Sequence, residues 1–192
     1  MTTFHWVRHG PTHERAIVGW RDVPADLSNT ARIQRLDSFL PRDAIVVSSD
    51  LIRASATADA LSAARTRLPD VRDLREFHFG DWDGLHFSEV AETHPRLSRD
   101  YWENPGEPTP PGGESWNMAA ARVRPVVDTL IKQHPGRHII VVAHIGVIMT
   151  QIEHASGQSA REVIGNKIDN LSVTELHLSG TDWQVRRINH LP

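Results

Sequence analysis

Three short apolar runs in this chain each end in residues suited to handling an anion. Phe4-His5-Trp6-Val7 leads into Arg8-His9-Gly10-Pro11-Thr12, and Ala44-Ile45-Val46-Val47 leads into Ser48-Ser49-Asp50-Leu51-Ile52-Arg53. Ile139-Ile140-Val141-Val142-Ala143 ends directly in His144-Ile145-Gly146. Arginine presents a planar fork of donors that stays charged at any working pH, which matches phosphate oxygens. Histidine near neutrality is either a nucleophile with a free lone pair or a charged donor. Gly10 lets the backbone turn closely around an anion. A helix starting after His144 would aim its positive end at the same place. Any one of these residues alone would read as a solvated loop charge or a satisfied strand-end histidine. Two histidines and two arginines at three corresponding strand ends read as a phosphate-handling catalytic site.

Composition narrows the chemistry further. The chain has 192 residues, 12 of them His and none Cys. Zero Cys excludes disulfides, thiolate metal sites, iron–sulfur clusters and a cysteine nucleophile, and is compatible with a cytoplasmic protein. The histidines leave three options: catalysis, a His/carboxylate metal site, or a surface excess. No metal-ligand spacing is present, since His13-Glu14 lacks a second His at the right distance and His134 and His138 straddle Pro135-Gly136. The phosphate-cradling and dinucleotide glycine patterns are also missing. A formal net charge of -3 argues against a broad basic nucleic-acid surface. No secretory leader is expected in MTTFHWVRHG, and no apolar run is long enough to span a bilayer.

The elements that must position these residues alternate. Continuous β-branched runs suit the interior of a parallel sheet. Helical patterns follow them: Ile33, Leu36 and Leu40 after an N-cap at Ser28, then residues 54–64, and 114–132 with Pro125 expected to kink or split it. Residues 147–154 form a further helix closed near Gly157. Leu171 to Leu178 and Trp183 to Ile188 read as two strands joined by a hairpin-like connection. The expected fold is therefore α/β: a three-layer α/β/α arrangement around a mostly parallel, doubly wound sheet with antiparallel C-terminal structure. In such a sheet, ligands bind beyond the carboxyl ends of the strands. One domain over 1–192 is expected, with an inserted or capping region around 76–116. The Pro/Gly-dense stretch 104–113 reads as a loop of that region, over the site.

The ordered motifs carry a resemblance. Val7-Arg8-His9-Gly10-Pro11-Thr12 resembles the opening signature of the histidine phosphatase superfamily, with its phosphoglycerate mutase-like fold. The similarity continues through Gly19-Trp20-Arg21-Asp22-Val23-Pro24, Ser48 to Ala54, and Leu74-Arg75-Glu76-Phe77-His78-Phe79-Gly80-Asp81-Trp82-Asp83-Gly84. It ends with Pro111-Gly112-Gly113-Glu114-Ser115 and Val141-Val142-Ala143-His144. The short length, FGDWDG and PGGES are most similar to the small phosphatase branch that includes α-ribazole phosphatases. The resemblance implies phosphomonoester hydrolysis through a phosphohistidine on His9. Arg8, Arg53 and protonated His144 would hold the phosphoryl oxygens, and Glu76 would act as general acid, then base. It implies no metal and no cofactor. The partner would be a small-molecule phosphate ester such as an α-ribazole phosphate-like compound or a sugar phosphate, with neither nucleic acid nor membrane involved. A bell-shaped pH profile centred below neutral is expected.

Gly10, Thr12 and the backbone amide of Ile145 are counted with the phosphate- or substrate-binding residues. Ile145 stands where many relatives have a small residue, and its side chain would narrow the pocket. Arg15 stands where many have Asn; with Arg21 it would either bind a second anionic group or remain a solvated charge. Asp50, in place of Pro, reads as neutral variation. Two rivals stay open. One is a mutase returning the phosphoryl group to substrate, although mutases of this fold are usually longer; the other is a phospho-ligand-binding protein without turnover.

Overall fold

The computed structural model describes all 192 residues. Its centre is a six-stranded sheet. β1 (Thr2–Arg8) pairs in parallel with β4 (His138–Ala143), whose other side holds β2 (Ala44–Ser48), also parallel. The two-residue β3 (Thr66–Arg67) extends this parallel half. On the other side of β1, β5 (Val173–Ser179) and β6 (Asp182–His190) run antiparallel to their neighbours, giving the order β3-β2-β4-β1-β5-β6.

The apolar runs fill both faces because successive strand side chains point opposite ways. Val7, Val46, Ile140 and Val142 enter one core layer with Leu36, Ala54, Ala58 and Leu61, from α1 (Thr30–Phe39), α2 (Ile52–Ala60) and the turn after it. Phe4, Trp6, Val47, Ile139 and Val141 enter the other, against α5 (Trp116–Gln133) and α6 (Ile145–Ser156). Ile140 is fully buried, so truncating it to Ala would cost roughly 2–5 kcal/mol. Between β3 and α5 the chain adds two 3₁₀ turns, Arg72–Leu74 and Gly80–Trp82, then α3 (Phe87–Thr93) and α4 (Pro95–Glu103). A short α7 (Ala160–Val163) precedes β5.

Strand register sets the functional edge. Val7 and Ser48 both align with Val142, and Arg8 aligns with Ala143, so the three central strands end nearly level. The pairing continues one residue further: His9 N–H donates to Ala143 O and Ser49 N–H to Val142 O, both at 3.1 Å. The chain therefore leaves the sheet at one edge through His9, Ser49 and His144.

Two local expectations are corrected, and one strand carries no signal in the sequence. The N-cap of α1 is Asn29, whose side chain accepts from Arg32 N–H, because Ser28 is engaged in a turn in which its N–H donates to Asp26 Oδ1. Pro125 does not split its helix; α5 is assigned continuously through it. Pro125 and Ala121 both face solvent, so the carbonyl left without a donor is on the hydrated side. β3 has no apolar run in the sequence, since its two residues are held by backbone pairing at an edge. Gly157, with φ 70°, closes α6 as expected.

Candidate active site

His9 is the first residue beyond β1 and is 6% exposed. Its Nδ1 lies 2.6 Å from Gly10 O. A carbonyl only accepts, so Nδ1 carries the proton and Nε2 keeps its lone pair. Asn170 Nδ2 donates to His9 O at 2.9 Å, tying the turn to the segment before β5. Gly10 N–H donates to Thr57 Oγ1 on α2, so that amide is already occupied. Burial, then the charge of Arg53, pushes the His9 imidazole down to about 3, which keeps it neutral.

His144 is the N-cap of α6, and its ring centroid is 5.1 Å from that of His9. It is fully buried, and neither ring nitrogen has a hydrogen-bond partner. Orphaned buried polar atoms cost about 1–3 kcal/mol each, so this ring is tolerated rather than stabilised where it sits. Burial, followed by His9 and Arg53, pushes its pKa well down. Protein surroundings alone thus favour a neutral His144, whereas the resemblance implies a protonated ring when it holds phosphoryl oxygens. An adjacent dianion would reverse that balance.

Arg53, in the first turn of α2, is 1% exposed. Its Nη2 donates to Gly19 O at 2.6 Å and its Nη1 to Arg21 O at 2.9 Å, which fixes the direction of the fork. Arg8 Nη1 donates to Ile168 O at 2.6 Å, while its buried Nε has no partner.

Glu76 follows the turn at Arg72–Leu74 and is 4% exposed. Burial pushes its carboxyl up; the amides of Phe77 and Gly146 and the charges of Arg53 and Arg8 oppose that without reversing it. Its Oε1 accepts from Phe77 N–H at 3.0 Å and from Gly146 N–H at 3.2 Å, the latter at the start of α6. A Cβ on Gly146 would lie 2.5 Å from Oε1, so glycine is what lets this carboxyl lean on the helix. Trp20 Nε1 and Arg122 Nη2 donate to Glu76 O at 2.7 and 2.9 Å. Arg122 also pairs with Glu114 of the PGGES block, which accepts from His78 N–H. A Cβ on Gly113 would lie 2.3 Å from His78 O, so this block and FGDWDG pack backbone against backbone.

Arg8, His9, Arg53 and Glu76 border one cavity of about 420 Å³, whereas Gly10 and the fully buried His144 do not line it. Its other walls are largely apolar: Ile17, Phe77, Phe79, Phe87, Tyr101, Trp102, Trp116, Ile145 and Met149 contribute. Pro105 and Gly106 of the Pro/Gly-rich loop border it as well. Thr12 and the exposed Arg15 also line it. Arg21 does not; its guanidinium is turned to Asp83 and Glu14. Asp50 is more than neutral variation, because it forms a two-pronged pair with Arg75 at 2.7 Å, beside Glu76. Sequence reasoning missed Gly146, Trp20, Asp83, Arg122 and Asn170 as supports. Trp20 and Asp83 stood inside the motif blocks and Gly146 two residues beyond the last, whereas Arg122 and Asn170 carried no signal.

Residues 4–191 match the family pattern described as the histidine phosphatase superfamily (branch 1). Phosphoglycerate mutase-like protein 4 of Arabidopsis thaliana is 35% identical over 190 residues, covering 94% of this chain and 81% of that protein. The bifunctional protein Rv2228c of Mycobacterium tuberculosis is 37% identical over 177 residues, covering 90% of this chain but 46% of that longer protein. Among solved structures, native mycobacterial glucosyl-3-phosphoglycerate phosphatase superposes with a TM-score of 0.86 at 27% identity, over 99% of both chains. With a match spanning nearly its whole length, the chain belongs to the histidine phosphatase superfamily, branch 1.

Proposed function

We propose that this protein is a phosphoric monoester hydrolase that works through a phosphohistidine on His9 and uses arginine and histidine side chains, rather than a metal ion, around the phosphoryl group. The observation that carries the reading is the His9 tautomer: Nδ1–H is held by Gly10 O, leaving Nε2 bare in a cavity shared with Arg8, Arg53 and Glu76. Nε2 attacks phosphorus and the ester P–O bond breaks. Glu76, whose carboxyl burial biases toward the protonated form, gives its proton to the departing alkoxide. Glu76, now a carboxylate, takes a proton from water, which attacks phosphorus; the P–N bond breaks and phosphate leaves. The Nδ1–H···O=C bond stabilises the positive charge on the phosphorylated ring. Arg8 and Arg53 hold the phosphoryl oxygens, and His144 takes the proton that a monoanionic ester brings with it, becoming a further donor to the resulting dianion. The phosphatase name of the superposed mycobacterial structure supports the same reaction class.

The walls beyond the phosphoryl end favour an ester with a flat, largely apolar leaving group, such as a heterocyclic alcohol, because a charge placed among Phe79, Trp102 and Trp116 would lose its hydration. Arg15, with no acidic partner, is available to a second anionic group at the same cavity. The test is hydrolysis of a panel of phosphomonoesters by purified protein, with His9→Ala as control. Turnover of aromatic esters that disappears in His9→Ala supports the reading; equal turnover in both contradicts it.

A further inference from the structure

Asp83 of the FGDWDG block does not line the cavity, yet its carboxylate is saturated. Oδ1 accepts from Gly19 N–H and from Arg21 Nε, both at 3.1 Å. Oδ2 accepts from Trp20 N–H at 2.8 Å and Arg21 N–H at 3.0 Å. Three consecutive amides thus turn toward one carboxylate, an anion nest built on charge-assisted bonds. The same three residues serve the site with their remaining groups. Gly19 O and Arg21 O orient Arg53, and Trp20 Nε1 donates to Glu76 O.

We propose that Asp83 is a positioning residue which, by shaping residues 19–21, sets the phosphate grip of Arg53 and the proton donor Glu76 as one unit. This rests on the roles given above to Arg53 and Glu76. The loop has little room for another shape: a Cβ on Gly19 would lie 2.6 Å from Phe77 O and 2.8 Å from the Phe79 ring. Losing the nest would free both carbonyls that direct the Arg53 fork and would release the indole from Glu76. Asparagine cannot substitute, because its amide would set a donor against donors already aimed at that oxygen. The arrangement also gives a structural reason for the GWRD and FGDWDG blocks to occur together.

The test compares Asp83→Asn and Trp20→Phe with the natural protein by rapid mixing. It uses p-nitrophenyl phosphate, whose leaving group departs unprotonated, and benzyl phosphate, whose alkoxide needs a proton. Inorganic phosphate is the inhibitor that reports the Arg53 grip. Misplacing reacting groups by about 1 Å can cost roughly 10²-fold. Asp83→Asn is expected to weaken phosphate inhibition and also to slow first-turnover phosphorylation by benzyl phosphate more than by p-nitrophenyl phosphate. Trp20→Phe, which leaves the nest intact, is expected to slow only the benzyl phosphate step and leave phosphate inhibition unchanged. A folded Asp83→Asn protein that keeps both the phosphate inhibition and the ratio of the two first-turnover rates overturns the proposal, even with a lowered melting temperature. If Asp83→Asn does not fold, an unchanged benzyl phosphate rate in Trp20→Phe overturns it. A natural protein that forms no phosphohistidine overturns the underlying roles as well, which separates that failure from failure of the Asp83 proposal alone.

Discussion

Replacing Glu76 by Gln tests the proton inventory of the site most sharply. Gln keeps an acceptor oxygen for the amides of Phe77 and Gly146, so the local geometry has a reason to persist. What it loses is the transferable proton. A positioned general acid is worth roughly 10²–10⁴ in rate, and that loss should fall on first-turnover phosphorylation by benzyl phosphate. Phosphorylation by p-nitrophenyl phosphate should change little, because its leaving group departs as an anion. The second half-reaction still needs Glu76 as base, so the aryl ester should give a rapid burst of nitrophenol and then stall as phosphoenzyme.

Stability supplies an internal control with a definite sign. Burial raises the Glu76 pKa above its unfolded value, so between the two values the folded chain holds a proton that the unfolded chain has lost. Wild-type stability therefore falls as pH rises through that window, whereas Glu76→Gln lacks the penalty. The variant should be at least as stable as wild type near neutral pH by urea unfolding. Equal losses on both esters with no burst, or no loss on either, would refute the assignment of Glu76 as proton donor.

Other perturbations separate the remaining parts. Gly146→Ala places a Cβ against Glu76 Oε1, so benzyl phosphate turnover should fall by roughly 10²-fold, with a smaller fall in the aryl burst; equal rates for both esters would contradict the contact. Arg53→Ala removes a buried phosphoryl donor, for which about 2.7–4 kcal/mol of transition-state stabilisation is typical, and should lower kcat/KM for both esters alike. Retained activity there would remove Arg53 from the reaction. In the middle of β1, burial pushes His5 down from 6.5 to about 4. Between those values the unfolded chain binds a proton that the folded chain refuses, so stability is lost as pH falls through the window, by about 3 kcal/mol. His5→Gln should flatten that part of the curve in urea unfolding at pH 7 and pH 4; an unchanged slope would contradict it.

The parts of this protein legible in its sequence are those governed by one periodicity and one topological rule. Continuous β-branched runs must be buried on both faces, and level parallel strands deliver whatever follows them to a common edge. That is why His9, Arg53 and His144 meet, with Arg8 at the end of β1. Glu76 follows no such run and reaches the site on an excursion between β3 and α5, so only motif resemblance pointed to it. The direction of Arg21 was not legible, because Asp83 captures it from a distant segment. Nor was the protonation of His144, which depends on burial among cations rather than on residue type. Pro125 and Asn29 show the local limit: solvent exposure decided one and a competing turn at Asp26 the other.

The central claim is that phosphorus is carried by Nε2 of His9. The direct measurement is rapid quenching of the protein with a radiolabelled phosphomonoester, followed by peptide mapping. Label on the His9 peptide, lost in acid, kept in base and missing from His9→Ala, is the predicted result. Turnover with no label on His9, or undiminished turnover in His9→Ala, would contradict the account.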